Sequence, residues 1–474
     1  MFDEIHEECG VFGVYAKERN EEVAYEAYMA LYALQHRGQQ CCGIAVNDDG
    51  VISVHKDVGL VPDIFNKDVL ASLGGGRMAL GQVLYGSGPA TRTNAQPMLV
   101  RHIKGTMAVA NNGSLVNAKE LRQELELSGA IFHTTSDAEV ISYVITRERL
   151  GCGSIEEAIE KAMPRLQGAY SMIIMSPQKL IAVRDPDGFR PLCMGKLGED
   201  VVFASESCAL DSIGARFVRD IKPGEIVVAG PDGVRSIETH CTKKGSICVF
   251  EYVYTARPDS VIEGASVHEA RQRAGAFLAL EHPVHADVVI GVPDSGLDAA
   301  LGFARQSGIP YGIGFIKNRY VGRTFILPTQ KQREDAVRIK LNVLKATVNG
   351  KRVVLVDDSI VRGTTSARIV RMLREAGATE VHVRISSPPF IYPCYFGTDI
   401  DSRDKLIACR MSLEEIRQSL DADSLGYMSL DAITKVADVD GRCNFCCGCF
   451  TGEYPIPVPG EHQPCDKFCQ KITK

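Results

Sequence analysis

VVLVDDSIVRGTTS, Val353 to Ser366, is the stretch whose reading decides the fold of the C-terminal half. Its first four residues are apolar and three of them β-branched, which predicts a strand buried on both faces of a parallel sheet. Two adjacent carboxylates follow, Asp357 and Asp358, and then a short loop carrying Arg362, Gly363, Thr364, Thr365 and Ser366. A helix is expected over about 367–375, closing at Gly377. Free backbone N–H groups and small hydroxyls at a helix start make an anion site. Carboxylates one step upstream accept hydrogen bonds from a diol or hold a hydrated divalent cation. One loop therefore offers a phosphate cradle beside a grip for sugar hydroxyls, which suits a phosphorylated ribose. A plain strand-turn-helix with a solvated acidic turn would explain a bare Asp-Asp pair, but not the whole stretch.

Outward from this loop, a strand–helix rhythm begins at about residue 248. Strands are expected at 286–296 (ADVVIGVPDSG), 309–317 (IPYGIGFIK), 352–359 (RVVLVDDS) and 380–389 (EVHVRISSPP), with helices between them. That alternation marks a doubly wound parallel sheet, whose strand-end loops share one ligand-binding face. The loop from Val292 to Gly296, with Ser295, is small and polar and suits pyrophosphate or a metal. The segment KNRYVGRTFILP, from Lys317 through Arg323 to Pro328, is followed by Arg333 and mixes cations with Gly and Pro, as a lid over a polyphosphate would.

The N-terminal half has a different texture. Short β-type runs (VFGVYA, CCGIAVND, ISVHKDVG, MAVANNG, SMIIMS, LIAVRD, VVFASES) are interrupted by helical stretches near 21–35, 118–128, 137–148 and 154–166. Packed sheets flanked by helices are expected. Cys9 directly precedes a β-type run, and with the first eight residues removed it would carry its own α-amine. An amine with a reference pKa near ~8 can serve as the general base for a thiol. A small buried core cysteine is the plainer reading of Cys9 alone. Asn112 and Gly113, after a strand, can offer a side-chain amide and a backbone N–H to an oxyanion. Thr134-Thr-Ser-Asp137 stands at a helix start, suited to a substrate ammonium or to capping by Ser136 or Asp137.

Composition bounds these readings. The chain has 474 residues, 45% apolar and 24% charged, enough for two or three cored domains. A net charge of −6 and the lack of a basic face argue against a nucleic-acid partner. No run approaches the ~20 apolar residues of a membrane span, and the acidic MFDEIHEE start is no secretory signal. Six of the 16 cysteines fall between Cys443 and Cys469. In a chain without a signal peptide such clustering points to a metal or redox centre. A cytoplasmic location and a homo-oligomer are expected.

The motifs CGVFGVY, LYALQHRGQ, NNGSLVNA, FHTTSDAEV, VRDPDGFRPL and ASES resemble a class II glutaminase domain, and VFEYVYTARPDS, VPDSG, KNRYVGRTFI and VDDSIVRGTTS resemble a type I phosphoribosyltransferase. In this order they resemble the amidophosphoribosyltransferase family over essentially the whole chain. The resemblance implies an N-terminal-nucleophile four-layer αββα glutaminase fused to a doubly wound parallel-sheet phosphoribosyltransferase, an α+β domain joined to an α/β one. It implies a leader over 1–8, a glutaminase over 9–238, and a phosphoribosyltransferase over 239–474 with a Cys-rich C-terminal extension. The implied reaction makes 5-phosphoribosylamine, glutamate and pyrophosphate from phosphoribosyl pyrophosphate, glutamine and water, the first step of purine synthesis. Cys9 would be the nucleophile, Asn112 and Gly113 the oxyanion hole, and Asp137 the holder of the glutamine amine. Ser295, Asp357 and Asp358 would surround magnesium; Arg362, Gly363, Thr364, Thr365, Ser366, Lys317 and Arg323 would bind the donor.

One subgroup also carries a 4Fe-4S cluster, whose pattern falls here on Cys248, Cys394, Cys446 and Cys449. Four thiolates from distant segments suit such a cluster. A zinc site on Cys443, Cys446, Cys449 and a tail cysteine also fits the C-x2-C spacing. Cys447, Cys465 and Cys469 have no assigned role.

The sequence departs from the family at one pocket. The pattern H-x-R-Y, whose arginine binds the glutamine α-carboxylate, is here Gln82-Val-Leu84-Tyr85. H-N-G is Asn111-Asn-Gly, and Cys41-Cys42 replaces a small polar–small pair. A leucine cannot pair a carboxylate. Arg92 is a substitute if its loop folds inward; otherwise glutamine use is weakened or lost while ammonia use at the second site survives. An ammonia-dependent phosphoribosylamine synthase and a non-catalytic phosphoribosyl-pyrophosphate sensor are therefore the alternatives.

Overall fold

Period-two alternation builds the N-terminal half. In the strand Gly10–Asn20, Phe12 and Val14 face one way and Val11 and Tyr15 the other. The computed structural model, which describes residues 9–85, 91–318, 341–398, 400, 402–437 and 444–459, places this strand at the centre of a seven-stranded sheet. The order is Arg216–Asp220, Cys193–Leu197, Asp200–Ala204, Gly10–Asn20, Gly76–Leu84, Cys41–Asp48, Val51–Val58. A six-stranded sheet has the order Gly233–Ile237, Ile226–Gly230, Leu180–Arg184, Ser171–Met175, Gly105–Asn112, Met98–His102. Val11, Leu80, Ala108, Ala110 and Ile173 fill the space between the two sheets. The helix Val23–Ala33 covers the outer face of the first sheet through Ala27, Ala30 and Leu31. Ala118–Leu127, Asp137–Gly151 and Ile155–Ala162 cover the outer face of the second through Leu121, Val144 and Ile159. The result is the expected αββα stack.

In the C-terminal half, Val288–Gly291, Arg352–Asp357, Glu380–Ile385 and Ser424–Tyr427 form a parallel sheet in that order. Val353 and Leu355 pack with Ile369, Val370 and Leu373 of the helix Thr364–Glu375. Val354 and Val356 face the helices Val267–Glu281 and Gly296–Ser307. Both faces are covered, which is why the central strand is a continuous apolar run. The last two helices pack backbone to backbone. A Cβ on Gly275 would lie 1.8 Å from the Ala299 carbonyl oxygen, and one on Gly302 1.9 Å from that of Gln272.

Three expectations change. The 309–317 stretch contributes only a bridge from Tyr311 to Val289 and the short strand Phe315–Lys317, which pairs antiparallel with Leu341–Val343. Pro310 has no N–H for a ladder, and Gly312 and Gly314 bring backbone against the Val288 and Ile290 side chains. The helix expected from Ala367 begins at Thr364, so Thr364, Thr365 and Ser366 form its first turn. The strand Ser424–Tyr427 has a Gly in its four residues and gave no β signal. The leader 1–8, Arg323, Arg333, Cys443, Cys465 and Cys469 lie outside the described residues. Among the described residues no helix is long and apolar enough to cross a membrane.

Candidate active site

Two strand-end loops meet at one edge of the parallel sheet. The Val292 N–H donates to the Val356 carbonyl at 2.9 Å. A Cβ on Gly296 would lie 2.6 Å from that same oxygen, so glycine lets the 292–296 loop lie against the neighbouring strand. Ser295 Oγ donates to Asp358 Oδ2, and Ser359 Oγ to Asp358 Oδ1. Asp357 Oδ1 accepts from the Asp358 N–H at 3.0 Å. Burial and the Asp358 charge push Asp357 well above the usual carboxylate range; burial also raises Asp358, against Ser295, Ser359 and Arg271. Two buried carboxylates that resist ionising together are relieved by a cation.

Gly363 precedes the helix with φ +86°, and the first-turn N–H groups of Thr364, Thr365 and Ser366 have no intrahelical acceptor. Arg362 is half-buried on the same loop. Lys317 is paired with Asp294 of the 292–296 loop rather than projecting alone. The structure thus brings Ser295, Asp357, Asp358, Arg362, Gly363–Ser366 and Lys317 to one edge.

The second site lies where the two N-terminal sheets meet. Cys9, nearly buried, opens the central strand, and its Sγ donates to the Tyr85 carbonyl at 3.3 Å. From the neighbouring strand, Gln82 Nε2 crosses to the Asn111 carbonyl at 2.6 Å. Next to it Asn112 is 0% exposed, and neither of its side-chain amide atoms has a partner among the described residues. Gly113 has φ +129°, and a Cβ there would lie 2.4 Å from the Ala169 carbonyl oxygen, so only glycine fits. Ser136 caps the helix Asp137–Gly151, and Asp137 Oδ2 accepts from the Leu115 N–H at 2.8 Å. Burial raises the Asp137 pKa to about 6.

Sequence reasoning gave no role to a buried polar chain joining the two halves. Arg37 Nε donates to the Cys9 carbonyl at 3.0 Å. Its terminal nitrogens reach Glu206 at 2.6 Å and Glu251 at 2.8 and 2.9 Å. Arg190 contacts Glu251 at 3.4 Å and donates to the Phe396 carbonyl and Thr398 Oγ1. All four charged side chains are fully buried. Burial opposes the Glu206 charge, but His36 and Arg37 hold its carboxyl well below the ordinary range. Glu251 sits on the turn Glu251–Thr255, whose Tyr252 and Tyr254 carbonyls accept from Arg271 at 2.8 and 3.0 Å. Gly397, with φ +121°, approaches Gly113 so closely that a Cβ there would be 3.3 Å from the Gly113 Cα. The signal was present as Arg37 in LYALQHRGQ, Arg190 in VRDPDGFRPL and Glu251 in VFEYVY, but nothing local tells which carboxylate meets which guanidinium.

The cysteines converge as well. The strand Ser246–Cys248 pairs in parallel with Asn444–Cys446, setting Cys248 opposite Cys446. Cys248, Cys394, Cys446 and Cys449 line one cavity with Phe189, Phe250, Phe396 and Tyr454. Burial, then the nearby Cys248, Cys394, Cys446 and Cys447, raises the Cys449 thiol well above its usual range, and Cys446 is pushed up to about 12. Among the described residues no three His, Cys, Asp or Glu side chains are spaced to hold a single metal ion.

Comparison with known proteins decides the family. A glutamine amidotransferase domain model matches residues 89–212, and a phosphoribosyl transferase domain model matches residues 268–386. The chain is 49% identical to an amidophosphoribosyltransferase of Methanocaldococcus jannaschii, over 95% of this chain and 98% of that protein. It is 46% identical to that of Bacillus subtilis, over 96% and 95%. A solved structure described as glutamine phosphoribosylpyrophosphate amidotransferase from B. subtilis, complexed with ADP and GMP, superposes with TM-score 0.89 at 46% identity, over 96% of this chain and 98% of that one. The chain belongs to the amidophosphoribosyltransferase family. As an amidophosphoribosyltransferase it is a glutamine amidotransferase and a pentosyltransferase. It makes 5-phosphoribosylamine, glutamate and pyrophosphate from phosphoribosyl pyrophosphate, glutamine and water, the first step of purine biosynthesis. None of these findings favours the ammonia-only synthase or the non-catalytic sensor. Leu84, where the resemblance implies an arginine, has a defined place in the fold. Leu84 ends its strand on the same face as Gln82, opposite Cys41.

Proposed function

We propose that the reaction runs at these two sites with the following division of labour. Residues 1–8 are removed, residues 9–238 form the glutaminase and residues 239–474 the phosphoribosyltransferase. The freed α-amine of Cys9 takes the thiol proton as Sγ attacks the glutamine side-chain amide. The Asn112 amide and Gly113 N–H stabilise the oxyanion, and the Asp137 carboxylate holds the substrate ammonium. The observation that carries this reading is the fully buried Asn112 amide without a partner among the described residues, because such a group is costly unless a ligand completes it. The contact between Gly397 and Gly113 favours direct passage of ammonia into the second half.

There Asp357 and Asp358 orient the ribose hydroxyls and, with Ser295, would hold magnesium; their pairing through Ser295 fits a cation. Bound magnesium supplies charge neutralisation to the leaving pyrophosphate. Thr364, Thr365, Ser366 and Gly363 cradle the 5-phosphate, and Arg362, Lys317 and Arg323 serve the polyphosphate. Cys248, Cys394, Cys446 and Cys449 would hold a 4Fe-4S cluster. Thiols spread around a cavity suit a cluster better than the ~2.3 Å sulfur shell of one zinc ion. Such a cluster supplies a structural cross-link and a redox-active centre. A cytoplasmic homo-oligomer completes the proposal.

Anaerobically purified protein, given donor and magnesium with glutamine or ammonium, tests it by pyrophosphate release. Cys9→Ala is expected to abolish release with glutamine and spare it with ammonium; loss of both overturns the assignment. Intact mass tests the leader, and iron and acid-labile sulfide content test the cluster.

A further inference from the structure

Glutamine reaches the enzyme as a zwitterion, and Asp137 answers only its ammonium. A carboxylate entering a pocket without a cation is strongly disfavoured. We propose that Arg92 binds the glutamine α-carboxylate and so determines amino-acid specificity, an inference that rests on the roles proposed for Cys9 and Asp137.

The segment that carries Arg92 is stitched to both walls of the pocket. Asn94 and Thr135 exchange two hydrogen bonds, Nδ2 to Oγ1 at 3.1 Å and N–H to Oδ1 at 3.2 Å. Gln96 Nε2 donates to Ser136 Oγ at 3.4 Å, and the Asn111 N–H donates to Gln96 Oε1 at 2.8 Å. Cys41, opposite Leu84, donates its Sγ to the Thr91 carbonyl at 3.7 Å. Asn94 and Gln96 thus tie the segment that carries Arg92 to the turn that presents Asp137 and to the strand end that presents Asn112.

Elimination points the same way. Arg37 is committed to Cys9, Glu206 and Glu251. Arg122 donates to the Thr134 carbonyl and stacks 4.0 Å from the Phe132 ring centre. Lys56 is held by the Ala95 and Pro97 carbonyls. Arg92 is exposed, with no hydrogen bond or ion pair to a described residue. Burial first and then the Arg92 charge lower the Lys56 pKa, so two cations share this rim and an anion between them relieves both.

The test is a substrate–mutant cycle that follows ammonia release from L-glutamine and from L-glutamine α-amide, whose carboxylate is replaced by a neutral amide. In the unsubstituted enzyme the α-amide should raise KM by on the order of 10²-fold. Arg92→Leu should raise KM for glutamine by a similar factor and abolish discrimination between the two substrates, and Arg92→Lys should restore part of it. Ammonium-dependent pyrophosphate release should stay unchanged. Equal KM values in the unsubstituted enzyme, or undiminished discrimination in Arg92→Leu, overturn the proposal. Continued ammonia release by Cys9→Ala would instead overturn the underlying assignment of the pocket.

Discussion

The phosphoribosyl end of the molecule draws Asp357, Asp358, Gly363 and the Thr364–Ser366 turn from one strand–loop–helix unit, with Ser295 added from the adjacent loop. The glutaminase end draws Cys9, Asn112, Gly113 and Asp137 from two strands of different sheets and a helix start. The first candidate site sets backbone N–H groups and a glycine beside the Asp357, Asp358 and Ser295 side chains, nearly all from one unit. The second candidate site sets the Gly113 N–H beside side chains that meet only in the fold, so a substitution in any one of several segments reaches it. A site built within one unit is therefore robust, and one assembled from distant segments adaptable.

The sharpest break between the two ends is expected from Cys9→Ala. Glutamine-supported turnover should fall by on the order of 10⁴-fold or more, with ammonium-supported turnover intact; equal losses would mean the sites are not separable. Glu251→Gln probes what joins them. Removing one partner of a buried ion network typically costs about 3–5 kcal/mol, read as a lowered denaturant midpoint at constant slope. A change below about 1 kcal/mol, the range of exposed pairs, would show that the two halves do not depend on it. Asp357→Asn with Asp358→Asn should raise the donor KM by roughly 10²-fold with either nitrogen source. A loss confined to glutamine would place the pair in the wrong half. The smallest effect is a pH profile. Asp137, with a pKa of about 6, is neutral below that value and cannot hold an ammonium. Glutamine kcat/KM should thus fall about tenfold per pH unit below pH 6, while the ammonium-supported rate, referred to the concentration of free ammonia, lacks that limb. A flat glutamine profile down to pH 5 would remove Asp137 from the role.

Much of this was legible in sequence for a physical reason. The Val353–Ser366 strand reads as buried because both its faces are covered, and its chemistry follows within one loop. The alternating runs of the first half announced the two sheets through the opposed faces of residues such as Val11 and Phe12. The 309–317 stretch misled because its apolar residues are spaced by Gly and Pro, which here serve close approach rather than a ladder. Cys248, Cys394, Cys446 and Cys449 could be listed together, but only the parallel pairing at Cys248 and Cys446 shows how they meet. The pairing within the Arg37–Glu206–Glu251–Arg190 network was not legible, since its members come from four separate segments.

That parallel pairing of Ser246–Cys248 with Asn444–Cys446 also has a place in time. It joins segments about 200 residues apart, and closing a loop of that length costs on the order of 5 kcal/mol in chain entropy. Two three-residue strands repay little of it, so the clasp should close after the local strand–helix units have formed. Pulsed hydrogen exchange during refolding should protect the Arg352–Asp357 amides before those of Ser246–Cys248; simultaneous protection would put the clasp in the folding nucleus. A group held by Cys248, Cys394, Cys446 and Cys449, as proposed, would then act as the latch that ends folding, setting how long the newly made chain stays open.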